Sequence, residues 1–420
     1  MKIMLVNDCP VGLPGSGGVE GHVAQLAEAL RQAGHEAFIL AHQLRGKPEA
    51  RNDETLLLPW FNAPPLCKHF LRNRALYRRA LEKATEFIRD VNPDVIHVHN
   101  LMKPGSLERL RQLRPSVKSI HDCRPFCTKP YPVVASRLIG SGSRFCDITF
   151  CGRCWWRCYA CAGASWRERI EGWTYYPPNR AALDQVRQYD RLVVYSAYLR
   201  DLATRCDIPD ERIRLIHHFT DMEQAACPTT AVADGPEVLF VGRLSPEKGL
   251  RHLLEAAAGL RHHPFNLVII GLGPMQAEVE RLLEQNRLAE RVTLKGHVPH
   301  ADLKSYYQRA LFVVLPSIGS EGCPLTGIEA MYNGSPVVAF DVGGIGEWLK
   351  HEQTGLMVPR GDIYALRDAM DRLLADRNLA RQLGRQGFEY VSTHFTREQH
   401  LRDLHRVYEE AAACRKRGAP

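Results

Sequence analysis

Short, mostly apolar runs alternate with longer amphipathic stretches along this chain. Residues 2–7, 37–40, 94–100, 117–122 and 190–196 read as strands, and 19–33 and 197–206 as helices between them. In 19–33, Val23, Leu26, Ala27 and Leu30 fall on one helical face, and Gly34 closes the helix. The pattern then repeats with strands at 238–242, 266–274, 292–298, 311–315 and 336–340. Strands alternating with helices predict parallel sheets, here two of them. The stretch 212–221 runs into a polar linker at 227–235, so the domain boundary is expected near 217–235. That gives a first domain at 1–217, a second at 218–392 and a long polar helix in a last segment, 393–420.

At 420 residues and ordinary composition, the chain has room for two packed cores. No apolar run is long enough to span a bilayer, and the first residues read as a strand rather than a signal peptide. The expectation is a cytoplasmic protein whose 13 cysteines are mostly reduced. The formal charge of +8 gathers at 68–79 and at Arg153, Arg157, Arg167 and Arg169, among Phe70, Leu71, Leu76, Tyr77, Trp155, Trp156 and Trp166. That mixture suits a solvated helix face or peripheral contact with anionic lipid at the inner membrane face. No nucleic-acid-binding module accompanies the charge.

Candidate chemistry concentrates after the strand at 311–315. Glu321 falls on the loop at the strand's carboxyl end, and Glu329 lies eight residues on, along a helix that Pro324 opens and Asn333-Gly334 ends. The amides of Cys323 to Thr326 suit an anion between the two carboxylates. After the strand at 238–242 come Arg243 and Lys248, a planar fork and a point charge able to neutralise a diphosphate. Gly17 and Gly18 follow the first strand, in a spacing that departs from the dinucleotide fingerprint. His97, His99 and His121 stand at strand ends.

Glu321-x7-Glu329, followed by Ala-Met, Gly334 and Pro336-Val-Val, closely resembles the donor-site signature of retaining family 4 glycosyltransferases. V-G-R-x-x-x-x-K-G at 241–249, the Gly17-Gly18-Val-Glu opening and His121-Asp122 are similar to other motifs of that family. The resemblance implies the GT-B fold: two Rossmann-like domains facing across a cleft, with a C-terminal helix crossing back to the first. It implies transfer of a hexosyl group from a UDP- or GDP-sugar to a saccharide or lipid-linked acceptor, in polysaccharide or glycolipid synthesis. Glu321, His121, Arg243 and Lys248 would be catalytic. Gly17, Gly18, Arg243, Lys248, Gly271, Val298, Glu321, Gly322, Cys323, Pro324, Leu325 and Glu329 would bind the donor, with no metal or other cofactor required for catalysis. The chain departs from the family at His218, where asparagine usually stands.

The cysteine-rich insert at 123–165 stands apart. Cys127, Cys146, Cys151, Cys154, Cys158 and Cys161 fit a structural zinc or iron–sulfur site, small-residue core packing, or disulfides. Two further readings use the same fold: a sugar-nucleotide epimerase, and a non-catalytic scaffold that binds a sugar nucleotide or a metal. Intactness of the Arg243, Lys248, Glu321 and Glu329 set argues against the scaffold.

Overall fold

The computed structural model describes residues 1–7, 11, 18–43, 47–59, 70–100, 111–126, 180–220, 235–260 and 262–417. They form two compact units, Met1–Ile216 with His400–Pro420, and His217–Gln399. The expected break at 392/393 falls inside the helix Arg377–His394. That helix is held as one piece by a buried stripe of Ala380, Leu383, Gly384, Gly387 and Val391, a packing face its many arginines and glutamines obscure in the sequence. Among the described residues no helix is long and apolar enough to cross a membrane.

The second unit carries a sheet of β9 (Glu237–Val241), β10 (Asn266–Ile270), β11 (Val292–Gly296), β12 (Ala310–Leu315), β13 (Val337–Phe340) and β14 (Gly355–Val358). Its order is β11-β10-β9-β12-β13-β14, with every pairing parallel. Reading these strands as one to six gives 3-2-1-4-5-6, the doubly wound order whose direction reverses between β9 and β12. β12 sits at the centre, covered on both faces, and all six of its residues are buried. That is why its sequence reads as an unbroken apolar run rather than an alternating one.

The first unit's sheet has the order β3-β4-β2-β1-β5-β6-β7-β8. It contains β1 (Lys2–Asn7), β2 (Glu36–His42), β3 (Ala50–Arg51), β4 (Thr55–Leu58), β5 (Val95–Val98), β6 (Ser116–Ile120), β7 (Arg191–Val194) and β8 (Ile213–Leu215). All pairings are parallel except β3 with β4. Here the direction reverses between β1 and β5. The helix Phe70–Val91 contributes Ala80, Leu81, Ala84, Phe87 and Ile88 to the core over β2, β4 and β5. β6 is buried throughout yet carries Ser116, Lys118 and Ser119, so its polar side chains must find partners inside the protein.

Candidate functional site

In the second unit the loops that leave β9 and β12 meet at the strand-order reversal, and backbone contacts fix them to one another. The amides of Ile318 and Gly319 donate to the Glu247 carbonyl at 2.9 and 3.0 Å. Gly249 has φ of +70°, and a Cβ there would stand 1.7 Å from the Pro316 carbonyl oxygen. Only glycine permits both that backbone and that approach. The result brings Lys248 across to Glu321, with Nζ donating to Oε1 at 2.8 Å. Ser317 Oγ donates to the same oxygen at 2.6 Å. A third loop, after β13, supports Glu321 from behind: the Gly344 amide donates to its carbonyl at 2.8 Å. Gly343, with φ of +56°, leaves no room for a Cβ against that carbonyl. The Glu321 side chain is 15 % exposed and that of Lys248 27 %.

Arg243 is not part of this pair. Its guanidinium is largely exposed and donates to Glu247 Oε1 at 3.2 Å. Ser245 Oγ donates to that oxygen too. Glu247 is itself a buried carboxylate that sequence reasoning missed; its signal was an acidic residue directly before the motif lysine. Gly271 closes the loop after β10, where a Cβ would fall 1.9 Å from the Gly242 carbonyl. Its glycine is therefore required by contact between two strand ends, whatever else approaches. Val298 lies just past β11 and is partly buried.

The helix Leu325–Tyr332 starts one residue later than expected, because Pro324 occupies the N-cap position with extended backbone rather than the first turn. Pro324 also has no amide hydrogen, so the backbone donors at this end are the amides of Cys323 and the first helical residues. Cys323 is buried, and burial raises its thiol pKa, with Glu347 and Glu321 adding to the effect. It is a neutral thiol, and its polar contribution to the loop is its amide. Gly322 is buried beside it, while Pro324 and Leu325 are partly buried.

Glu329 is 6 % exposed on this helix, with a defined partner for each oxygen. Tyr307 OH donates to Oε2 at 3.0 Å, and His300 Nε2 lies 2.9 Å from Oε1. Burial, reinforced by the Glu329 charge, raises the Tyr307 pKa well above its usual value, so the phenol stays protonated as a donor. Both partners sit on the helix His300–Arg309, and nothing in their spacing marks them beforehand. His217 meets Glu347 at 3.1 Å and is stacked on Phe395; the hydrogen bond to Glu347 raises its pKa. His218 is buried.

In the first unit, Gly18 begins the helix Gly18–Gln32, and a Cβ there would meet no atom of the described residues within 4 Å. Packing among the described residues therefore does not demand glycine at this position. Gly17 and the six insert cysteines from Cys127 to Cys161 lie outside the described residues, as do Trp155, Trp156 and Trp166; Cys123 is buried. His121 directly follows β6 and is partly buried, with Nε2 3.2 Å from His99 Nδ1 and its ring stacked on Tyr195 at 4.8 Å. Asp122 turns away from this contact and holds Arg124, accepting from its amide at 2.8 Å and from Nε at 2.7 Å. A polar network lies beneath His121. Tyr408 OH and Ser119 Oγ each lie 2.8 Å from one nitrogen of His97, and Ser119 Oγ is 2.7 Å from Tyr195 OH. Lys118, buried, donates to the carbonyls of His99 and Asn100. His22 and His400 complete a five-histidine cluster that the sequence showed only as separate residues.

Two family profiles match the chain: Glycosyltransferase Family 4 over residues 16–224, and Glycosyl transferases group 1 over 226–390. Among curated relatives, the uncharacterised glycosyltransferase MJ1607 of Methanocaldococcus jannaschii is 26 % identical over 86 % of both chains. The alpha-D-kanosaminyltransferase of Streptomyces kanamyceticus is 30 % identical over 47 % of this chain. The match covers 54 % of that relative, about half its length. Among solved structures, the sucrose-phosphate synthase of Thermosynechococcus elongatus superposes with a TM-score of 0.75 at 24 % identity, covering 99 % of this chain and all of that one. The Anabaena protein HepE, solved with UDP-glucose, gives 0.68 at 16 % identity over 97 % of this chain and all of its own. These likenesses show a GT-B fold built from the two parallel-sheet units.

Proposed function

Because the chain belongs to the family 4, group 1 glycosyltransferases, we propose that it moves a hexosyl group from a nucleoside diphosphate sugar to a saccharide or lipid-linked acceptor with retention of configuration. The observation that carries this reading is the Lys248–Glu321 pair at the reversal of the second sheet, followed one helix later by the buried Glu329. Open α/β sheets bind ligands at that reversal, and the three groups match the three parts of such a donor. Lys248 and Arg243, with the amides at the start of the Leu325–Tyr332 helix, take the diphosphate. Glu321 orients the sugar and supports positive charge at its anomeric carbon. Glu329, held in place by Tyr307, accepts from the ribose hydroxyls. Binding of UDP-glucose by HepE, which shares the fold, supports a donor of this class and favours uridine as the base.

In the reaction, the bond from the anomeric carbon to the diphosphate oxygen breaks and its electron pair leaves with the diphosphate. The acceptor oxygen bonds to the same face of that carbon and passes its proton to the departing phosphate. The catalytic effect is electrostatic: cations and amides stand ready where negative charge develops. His121 engages a hydroxyl of the sugar or acceptor. The basic, aromatic composition of 68–79 supports contact with anionic headgroups around a lipid-linked acceptor.

The test is a transfer reaction with α-configured UDP- and GDP-hexoses, the product's anomeric centre being read by proton NMR coupling. An α-linked product supports the reading. A β-linked product would remove retention, and no transfer or donor hydrolysis across the set would remove the activity.

A further inference from the structure

We propose that His99 is a positioning residue that fixes the tautomer of His121: His99 donates its Nδ1–H to His121 Nε2, so that His121 carries its own proton on Nδ1. The geometry starts from the 3.2 Å contact between these two nitrogens, with the ring centroids 5.4 Å apart and the planes inclined at 30°. His99 is 1 % exposed, and its second nitrogen, Nε2, is buried with no hydrogen-bond partner among the described residues. Burial, with His97, His121, His22 and Lys118 around it, lowers its pKa well below the usual value, so the ring is neutral and holds one proton.

That proton has two places to be. On Nε2 it would make a buried N–H with no acceptor, a situation rarer in folded proteins than an unused acceptor. On Nδ1 it is hydrogen-bonded, and only a lone pair at Nε2 goes unused. The second arrangement is favoured, and it obliges His121 Nε2 to accept. The stacking on Tyr195, whose hydroxyl is fixed by Ser119, keeps the His121 ring from turning to exchange its nitrogens.

The consequence for chemistry rests on the proposed reading that His121 meets a sugar or acceptor oxygen. A ligand oxygen reaching Nδ1 meets a hydrogen-bond donor, not a base. Neutral His121 therefore orients a hydroxyl through its oxygen and cannot remove that hydroxyl's proton. The proton must leave by another route, and the departing diphosphate supplies one.

The test uses the full chain labelled with 15N-histidine and long-range 1H–15N correlation, which separates a protonated ring nitrogen from a bare one. The His121 signals are assigned by their loss in His121→Gln. The expected wild-type pattern is a protonated Nδ1 and a bare Nε2. His99→Phe removes the donor and should move the His121 proton to Nε2. His99→Asn places an amide donor near the position of Nδ1 and should keep the wild-type pattern, which separates a lost hydrogen bond from a general loss of packing. In transfer assays His99→Phe should lower kcat/KM by about tenfold, the worth of one well-placed hydrogen bond, with His99→Asn recovering most of it. A wild-type His121 protonated on Nε2, or a pattern unchanged in His99→Phe, overturns the proposal. If the pattern is as expected but His121→Gln transfers at the wild-type rate, the tautomer lock stands and the substrate-facing role of His121 falls.

Discussion

Replacing Glu321 by glutamine lowers kcat by about 10²–10³-fold, the range set by removing one preorganised electrostatic group from a reacting centre. The side chain keeps its shape but loses its charge, and it can no longer neutralise a positive anomeric carbon. The fold should survive, because the loop is held mainly through backbone. The Glu321 carbonyl accepts from Gly344, and Ile318 and Gly319 are tied to Glu247. Circular dichroism should match the wild type, and nucleotide affinity should change by less than about threefold, because the loss is confined to the transition state. A variant with wild-type kcat would show that Glu321 only anchors Lys248.

Lowering the pH from about 6.5 to 5 destabilises the first unit by about 2 kcal/mol or more. The cause is the histidine cluster. Burial holds the pKa values of His22 and His99 well below 6.5 and that of His97 at about 3, with neighbouring histidines and, for His97 and His99, Lys118 adding to the effect. The folded unit keeps these rings neutral, while the unfolded chain starts to protonate them near pH 6.5. Below that pH the unfolded state binds more protons, so stability falls as the pH drops. Each such histidine contributes a slope of about 1.4 kcal/mol per pH unit until its folded-state pKa is reached. His97, whose folded value is about 3, gives about 2 kcal/mol by pH 5, and His22 and His99 add to it in the same direction. His217 in the second unit has the opposite sense. Its raised pKa gives stability that is complete below the unfolded pKa and is lost as the pH rises through the folded value. Hydrogen exchange of the intact protein, followed peptide by peptide from pH 7.5 to 5, should show protection lost from β5, β6 and β7 first. Equal protection across that range would contradict the account.

The parts legible beforehand are those whose cause is local. β12 is apolar along its length because it is central, and the two motif loops stand out because Gly249 and Gly271 answer to backbone contacts that no other residue permits. The five-residue step from Arg243 to Lys248 and the eight-residue step from Glu321 to Glu329 could be read as one constellation through a family resemblance. What escaped depends on contacts distant in sequence. Tyr307 and His300 reach Glu329 from 22 and 29 residues away, and His99 reaches His121 across two neighbouring strands. Tyr408 meets His97 over a separation of 311 residues. β3 has two exposed residues, and its pairing with β4 leaves no periodic trace. Arg243, read from the sequence as a cation for a diphosphate, donates to Glu247, a contact within its own loop that the motif does not announce.

The central claim is that the second unit binds a nucleoside diphosphate through Lys248, Arg243 and Glu329. Isothermal titration of the metal-free chain with UDP and with GDP, beside Glu329→Ala, tests it most directly. The account predicts binding of one nucleotide at about micromolar Kd, on the order of −8 kcal/mol. In Glu329→Ala the affinity should fall by about tenfold or more, because two ribose hydroxyls lose a charged acceptor. No heat with either nucleotide, or equal affinity in the variant, would contradict it.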